Sequence, residues 1–187
     1  MGGERDLAAG DFSAWATGMQ AAIRGERGSD VPCGGCTACC TASQFIHIAP
    51  DETETLARIP KPLLFPAPLM PEGHVVLGHD ERGHCPMLVA GRCSIYADRP
   101  RTCRTYDCRV FAASGLAAED GLIAERARRW RFGFPSEADR RRRDAVHEAA
   151  VFIRERPHEL PAGAAPANAT QHAVLAVEMH DDFLRQD

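Results

Sequence analysis

The chain has 187 residues, of which 44% are hydrophobic and 26% charged, and its formal net charge is −4 at pH 7. A soluble chain of this length buries roughly 70% of its unfolded surface, so its size alone demands neither a metal nor disulfides. No apolar run approaches the roughly 18 residues of a membrane span, and we expect the chain not to cross a bilayer. The first six residues, Met-Gly-Gly-Glu-Arg-Asp, lack the basic segment of a secretory signal, so we expect a cytoplasmic protein.

The first predicted element is a helix over residues 11–27. Asp11 suits the N-cap position, and the glycines at positions 25 and 28 end the helical pattern. Four apolar residues recur at helical spacing within it, namely Phe12, Trp15, Met19 and Ile23. This stripe predicts that the helix packs one face on a hydrophobic core.

The middle of the chain predicts short strands around one short helix. The helix begins after Pro50 and ends at Ile59. Five prolines within residues 60–73 predict an extended loop without a regular element. The predicted strands are 45–48, 74–77, 87–89 and 93–96, and the last two form a hairpin that turns at Ala90 and Gly91.

The last third of the chain predicts three helices, over about 117–131, 136–156 and 170–185. Ser136 is a suitable cap for the second helix, and Pro157 ends it. A linker rich in proline, alanine and glycine, 161–168, separates it from the third helix. The apolar face of that last helix indicates that it docks on a core.

All eight cysteines lie in two stretches of the chain. The first stretch holds four thiols within eight residues, Cys33, Cys36, Cys39 and Cys40, and the second holds Cys85, Cys93, Cys103 and Cys108. In a reducing cytosol, cysteines at such short spacings are more often metal ligands or redox thiols than disulfides. Two cysteines separated by two residues can turn both sulfurs towards one ion, and the first stretch contains two such pairs in tandem.

The eight thiols can be divided in more than one way. They suffice for two tetrahedral zinc sites with four sulfur ligands each. Alternatively, Cys33, Cys36, Cys39 and a remote cysteine, for which Cys85 before Pro86 is a candidate, could hold a [4Fe-4S] cluster. The neighbouring side chains of Cys39 and Cys40 diverge by about 100° on a helix, so they serve different centres or one of them is reactive or buried. Thiolate sulfur suits both zinc and iron.

The order of these residues resembles the CxxCxxCC cysteine-cluster family, often called YkgJ-like. The resemblance covers about residues 30–110, and besides the eight cysteines it includes Ile95-Tyr96 and Arg99-Pro100. It implies a zinc- or iron-chelating domain in which all eight cysteines are ligands, and a similar cysteine module occurs in flagellin lysine-N-methylases. It implies no substrate.

We therefore expect an α+β fold, a mostly helical single domain with a small antiparallel hairpin or sheet organised around a cysteine-rich metal site. Its predicted parts are an N-terminal helix in 1–29, a cysteine-cluster zinc- or iron-chelating domain in 30–110, and a helical extension packed on it in 111–187. Histidines near the cysteines, of which His84 is the best placed, could replace a thiolate.

Arginines are concentrated near and after the second cysteine stretch. Residues 99–143 contain twelve Arg and six acidic residues, a net charge of +6. Around Cys103, this charge could stabilise thiolates, or the arginines could pair with Asp98 or Asp107. The segment Arg126–Arg143 could contact the phosphates of a nucleic acid, although the overall pI of 6.1 opposes a dedicated nucleic-acid binder.

The leading hypothesis is a metal-binding protein that holds zinc or an iron–sulfur cluster through eight cysteines. One alternative is an iron- or cluster-dependent enzyme of redox or group-transfer chemistry, and the sequence leaves open whether the protein is an enzyme. A second is a zinc-stabilised module that binds nucleic acid or an acidic partner through its Arg-rich helices. A third is a redox sensor that uses Cys39 and Cys40 and needs a thiol of lowered pKa.

Overall fold

The computed structural model describes residues 6–29, 31–33, 35–119 and 121–184. Residues 1–5, on which the expectation about a signal depends, and the last predicted helical position, 185, lie outside the described residues. Within these ranges, helices and short strands are mixed, which confirms the predicted α+β class. The described residues form two compact units. The cysteine unit is Pro32–Tyr106, and the helical unit comprises the described residues of Met1–Val31 and Asp107–Asp187.

The helices are α1 (Phe12–Ile23), α2 (Thr53–Arg58), α3 (Arg101–Thr105), α4 (Arg109–Ser114), α5 (Leu122–Ala127), α6 (Glu137–Glu155) and α7 (Ala169–Leu184). The strands are β1 (Leu7–Asp11), β2 (Ile46–Ile48), β3 (Leu64–Pro66), β4 (Val75–Leu77), β5 (Leu88–Val89), β6 (Arg92–Cys93) and β7 (Trp130–Gly133). No helix among the described residues combines the length and the apolar character that crossing a membrane requires.

The helical unit is built on packed helices. Sixteen buried residues of its described part form one apolar cluster, to which α1, α4, α6 and α7 all contribute. The predicted stripe of α1 is part of this core, since Phe12, Trp15 and Met19 are buried. The predicted Ser136 cap is also present, because the hydroxyl of Ser136 accepts from the Asp139 amide while the Asp139 carboxylate accepts from the Ser136 amide.

A parallel strand pair in the helical unit contradicts part of the predicted helix over 117–131. α5 ends at Ala127, and β7 then pairs with β1. The arginines of this segment favour a helix locally, but Trp130 is buried and the ring of Phe132 lies 4.8 Å from that of Trp15. The alternation of Trp130 and Phe132 is the period of a strand, and tertiary packing outweighs helix propensity here.

The cysteine unit has a small antiparallel sheet in the order β2-β4-β3 and the predicted β5-β6 hairpin. Ala90 and Gly91 make the hairpin turn with φ of 49° and 74°. The prediction of no regular element in 60–73 is wrong, because β3 lies there. β3 is an edge strand, where Pro66 can be accommodated without interrupting a central ladder.

One face of the three-stranded sheet covers a small apolar core. Ile48 and Leu77 are almost completely buried and pack with Ile59, Met87 and Ile95, the other buried members of this cluster. Cys85 and Cys93 border the cluster as half-buried members. The core of the cysteine unit is therefore small and includes thiols at its margin.

Candidate metal centre

The first cysteine stretch is a sequence of tight turns. The Cys36 amide donates to the Cys33 carbonyl at 3.0 Å, and the Cys40 amide donates to the Thr37 carbonyl at 2.8 Å. Cys39 and Cys40 both lie on a 3₁₀ turn over Ala38–Thr41. Successive side chains on such a turn are about 120° apart. Cys39 is accordingly exposed and Cys40 half-buried, as their adjacency predicts.

A backbone hydrogen bond joins the two cysteine stretches. The amide of Cys85 donates to the carbonyl of Cys40 at 2.7 Å. Nearby, the Ser43 amide donates to the Gly83 carbonyl at 2.9 Å. A Cβ at Gly83 would lie 2.1 Å from the hydroxyl oxygen of Ser43, so this close approach requires glycine. Cys93 follows in the hairpin, where it is paired with Leu88.

Cys103 lies on the short helix α3, which polar contacts hold in place. The Thr102 hydroxyl donates to the His47 carbonyl at 2.8 Å, and the Arg101 guanidinium contacts Asp51 at 2.7 Å. The buried carboxylate of Glu52 accepts from the Arg101 amide with one oxygen and from the Ala49 amide with the other. Glu52 therefore positions the helix of Cys103 through Arg101, which is 49 residues away along the chain, a role that no sequence pattern indicates.

The arginines around Cys103 divide between the two roles that we considered. Arg101 and Arg104 face Asp51 and Glu52, while Asp98 pairs with Arg58 at 3.0 Å. The alternative in which Asp98 or Asp107 pairs with the arginines around Cys103 is therefore wrong, since Asp107 pairs with Arg109. Arg99 acts on the thiol of Cys103, where its positive charge opposes a small part of a rise in pKa that is caused mainly by burial.

Four thiols from the two stretches influence one another electrostatically. Burial, followed by the thiolates of Cys85 and Cys93, raises the pKa of Cys40 to about 11, with smaller effects of Cys33 and Cys36. Burial, followed by Cys40, Cys85 and Cys93, raises the pKa of Cys103 to about 12. The pKa of Cys103 is raised although part of the residue is exposed to solvent.

Cys85 completes the same pattern. Its pKa is raised first by burial and also by the thiolate of Cys93, while the backbone amides of Met87 and Leu88 lower it. Each of the six pairs among Cys40, Cys85, Cys93 and Cys103 is thus coupled. Without a nearby cation, thiols with such pKa values stay protonated at neutral pH. The raised pKa of Cys40 also counts against a redox sensor, which needs a stable thiolate.

These thiols are neighbours, but they are not arranged as ligands. All eight cysteines are described, and none forms a disulfide. Among the described residues, no three Cys, His, Asp or Glu side chains are grouped so that they could hold a metal ion. The donor chemistry nevertheless fits zinc or iron, since sulfur donors suit both metals and a cation would offset the repulsion between thiolates.

Cys108 belongs to the helical unit, whereas the four coupled thiols belong to the cysteine unit. Its side chain is buried, and its sulfur accepts from the indole N–H of Trp130 at 3.1 Å. The preceding residue, Asp107, is buried and pairs with Arg109 at 2.7 Å. Within its own unit, Cys108 therefore has a packing role.

Most arginines of the Arg126–Arg143 segment are engaged inside the helical unit. Arg142 donates to the Ser13 carbonyl at 3.2 Å, and Arg131 pairs with Asp6 at 3.1 Å. The guanidinium of Arg126 lies over Trp130, 4.9 Å from the ring centroid. These contacts reduce the positive surface that remains for phosphates, and binding of nucleic acid stays a prediction.

The cysteine unit thus belongs to the class of small cysteine-rich domains with soft-metal ligand chemistry. Residues 32–120 match the CxxCxxCC family model, described as "Putative zinc- or iron-chelating domain". This match confirms the resemblance and supports metal binding. A comparison with curated proteins and one with solved structures give no match.

Proposed function

We propose that the cysteine unit binds zinc or iron through the thiolates of Cys40, Cys85, Cys93 and Cys103. The supporting observation is the mutual coupling of these four thiols, which come from both cysteine stretches. Bound there, the ion would neutralise the thiolates and link the two stretches through metal–sulfur bonds. A reducing cytosol, which we expect from the N-terminal residues, would keep the thiols available.

The tandem cysteines Cys33, Cys36 and Cys39 supply ligands for a second ion in this proposal. Cys33 and Cys36 lie within electrostatic range of Cys40, which supports their participation. The competing division is an iron–sulfur cluster on these three cysteines and Cys85. Cys108 is an eighth ligand only as a prediction from the sequence.

Metal identity is tested on protein purified anaerobically without a histidine tag. Elemental analysis gives the metal content per chain, and the visible spectrum separates a coloured iron–sulfur cluster from zinc thiolate, which is colourless. We expect zinc or iron at a fixed ratio to protein. A chain that is folded, reduced and free of both metals would overturn the proposal.

Serine variants distinguish the two divisions of ligands. If Cys40, Cys85, Cys93 and Cys103 share one ion, Cys40→Ser and Cys93→Ser each lose the same ion, whereas Cys33→Ser loses another. If an iron–sulfur cluster uses Cys33 and Cys85, the variants Cys33→Ser and Cys85→Ser lose the colour of the cluster and Cys40→Ser keeps it. Thr105→Ser, on the helix of Cys103, is the matched control. An unchanged metal content in both Cys40→Ser and Cys93→Ser would contradict the proposed ligand set.

A further inference from the structure

Two histidines on neighbouring strands of the cysteine unit form a pair that the thiol proposal does not use. His47 lies in β2, and His74 directly precedes β4. Nε2 of His47 and Nδ1 of His74 are 2.8 Å apart. The ring centroids are 5.1 Å apart and the ring planes differ by 13°, so the rings lie almost in one plane and meet edge to edge. Two ring nitrogens therefore point at each other.

The backbone holds both histidines in place. The His47 carbonyl accepts from the Thr102 hydroxyl at 2.8 Å, and His47 is paired with Val76 across the sheet. The His74 amide donates to the Pro71 carbonyl at 3.2 Å, and its carbonyl accepts from the Ala67 amide at 2.9 Å. Both side chains are half-buried. The positions from which the two rings project are consequently set by the backbone.

A change of tautomer can remove the proton from between the two facing nitrogens while both rings stay neutral. One of the facing nitrogens donates and the other accepts, and a shift of that proton to the other nitrogen of its own ring exposes two lone pairs. Neutral imidazole is the commonest metal ligand in proteins. Around a tetrahedral ion with metal–nitrogen distances of about 2.0–2.1 Å, two nitrogens lie about 3.4 Å apart. The pair would need to open by only about half an ångström and tilt its rings.

We propose that His47 and His74 form a binding site for one divalent transition-metal ion, such as Zn²⁺ or Ni²⁺, separate from the thiol group. Solvent completes the coordination. The carboxylate of Asp51, which interacts electrostatically with His74, adds favourable negative charge although it is paired with Arg101. The site uses nitrogen ligands alone, so its existence does not depend on which cysteines hold metal.

The test is a calorimetric titration with Ni²⁺ of the full chain, purified without a histidine tag and with its own metal retained. We expect one Ni²⁺ per chain, at least tenfold weaker binding in His47→Gln and in His74→Gln, and unchanged binding in His79→Gln. His79 is a matched control because it packs on Phe45, with ring centroids 5.0 Å apart, and not on the pair. Elemental analysis after the titration shows whether the original metal has stayed bound.

A second measurement does not require variants to fold. Paramagnetic Ni²⁺ should broaden the imidazole proton resonances of two of the eight histidines in the wild-type chain before the others. Wild-type chain that binds no Ni²⁺, equal binding by all three variants, or uniform broadening of the histidine resonances would each overturn the inference. None of these results affects the thiol proposal, which is measured by the metal retained from purification.

Discussion

The two units of the chain are stabilised in different ways. In its described part, the helical unit has an apolar cluster of sixteen buried residues, and α6 and α7 are 19 and 16 residues long. The cluster of the cysteine unit has five buried residues, and its helices have five or six residues. Its strands have at most three residues.

This difference explains where a metal would matter. Small domains with a small core commonly depend on a metal or on disulfides for stability. The cysteine unit has seven cysteines and no disulfide. The helical unit needs no such support, because burial of its core already provides the main driving force for folding. The comparison predicts that stability depends on metal in one unit and on packing and buried charge in the other.

The largest expected effect is that of metal removal. Binding of a structural zinc ion is worth about 10–16 kcal/mol in zinc-finger peptides, which is comparable to the whole stability of a domain. A chelator should therefore abolish hydrogen-exchange protection in β2–β6 while α6 and α7 keep theirs. Peptide-resolved hydrogen exchange measures both units in one experiment. The comparison would be broken if protection fell equally in the two units, or if it stayed unchanged after all metal had been removed.

A smaller effect is expected from Asp107→Asn in the helical unit. The Asp107 carboxylate accepts from Trp15 at 2.9 Å and from Ser29 at 2.8 Å, and it pairs with the buried guanidinium of Arg109. The substitution leaves Arg109 buried without its counter-charge. Breaking a buried ion pair in this way costs about 3–5 kcal/mol. The free energy of unfolding of the helical unit, measured by denaturant, should fall by that amount, with the metal content unchanged.

The matched control for Asp107→Asn is Asp144→Asn. Asp144 pairs with Arg143 at 2.6 Å, but 55% of its side chain is exposed. An exposed pair contributes at most about 1 kcal/mol. Equal destabilisation by the two substitutions would show that the buried network does not carry the stability of this unit.

The contrast between the units also explains what the sequence could predict. Helices α1 and α6 can be predicted from local signals. The apolar period of α1 and the Ser136–Asp139 cap of α6 each involve residues that are close in the sequence. The pairing of β1 with β7 joins Leu7 to Trp130 and depends on burial of aromatic rings, which no local pattern specifies. Long-range packing is therefore where the predictions fail.

The candidate site shows the same limit. Cysteine spacing and family resemblance identified the thiols and the class of ligand. They did not indicate that Cys40 interacts with Cys85 and Cys93, because that depends on the 3₁₀ turn and on a backbone bond between the stretches. Nor did they indicate Glu52, whose carboxylate is buried and bonded to α3. These features arise only when distant segments meet.

The smallest expected effect is the pH dependence of metal uptake. Without metal, the pKa values of about 11 for Cys40 and about 12 for Cys103 keep both thiols protonated at neutral pH, so binding must release their protons. Affinity should rise with pH, by about 1.4 kcal/mol per pH unit for each proton released. Because these pKa values exceed that of an ordinary thiol, the rise should continue beyond about pH 9 instead of levelling off there.

Competition of the metal-free chain with a chromophoric chelator at several pH values measures the slope, and Thr105→Ser should reproduce it. A plateau below pH 9 would mean that the thiols are not coupled as a group, and the cysteine unit would then lack the electrostatic feature that distinguishes it from the helical unit.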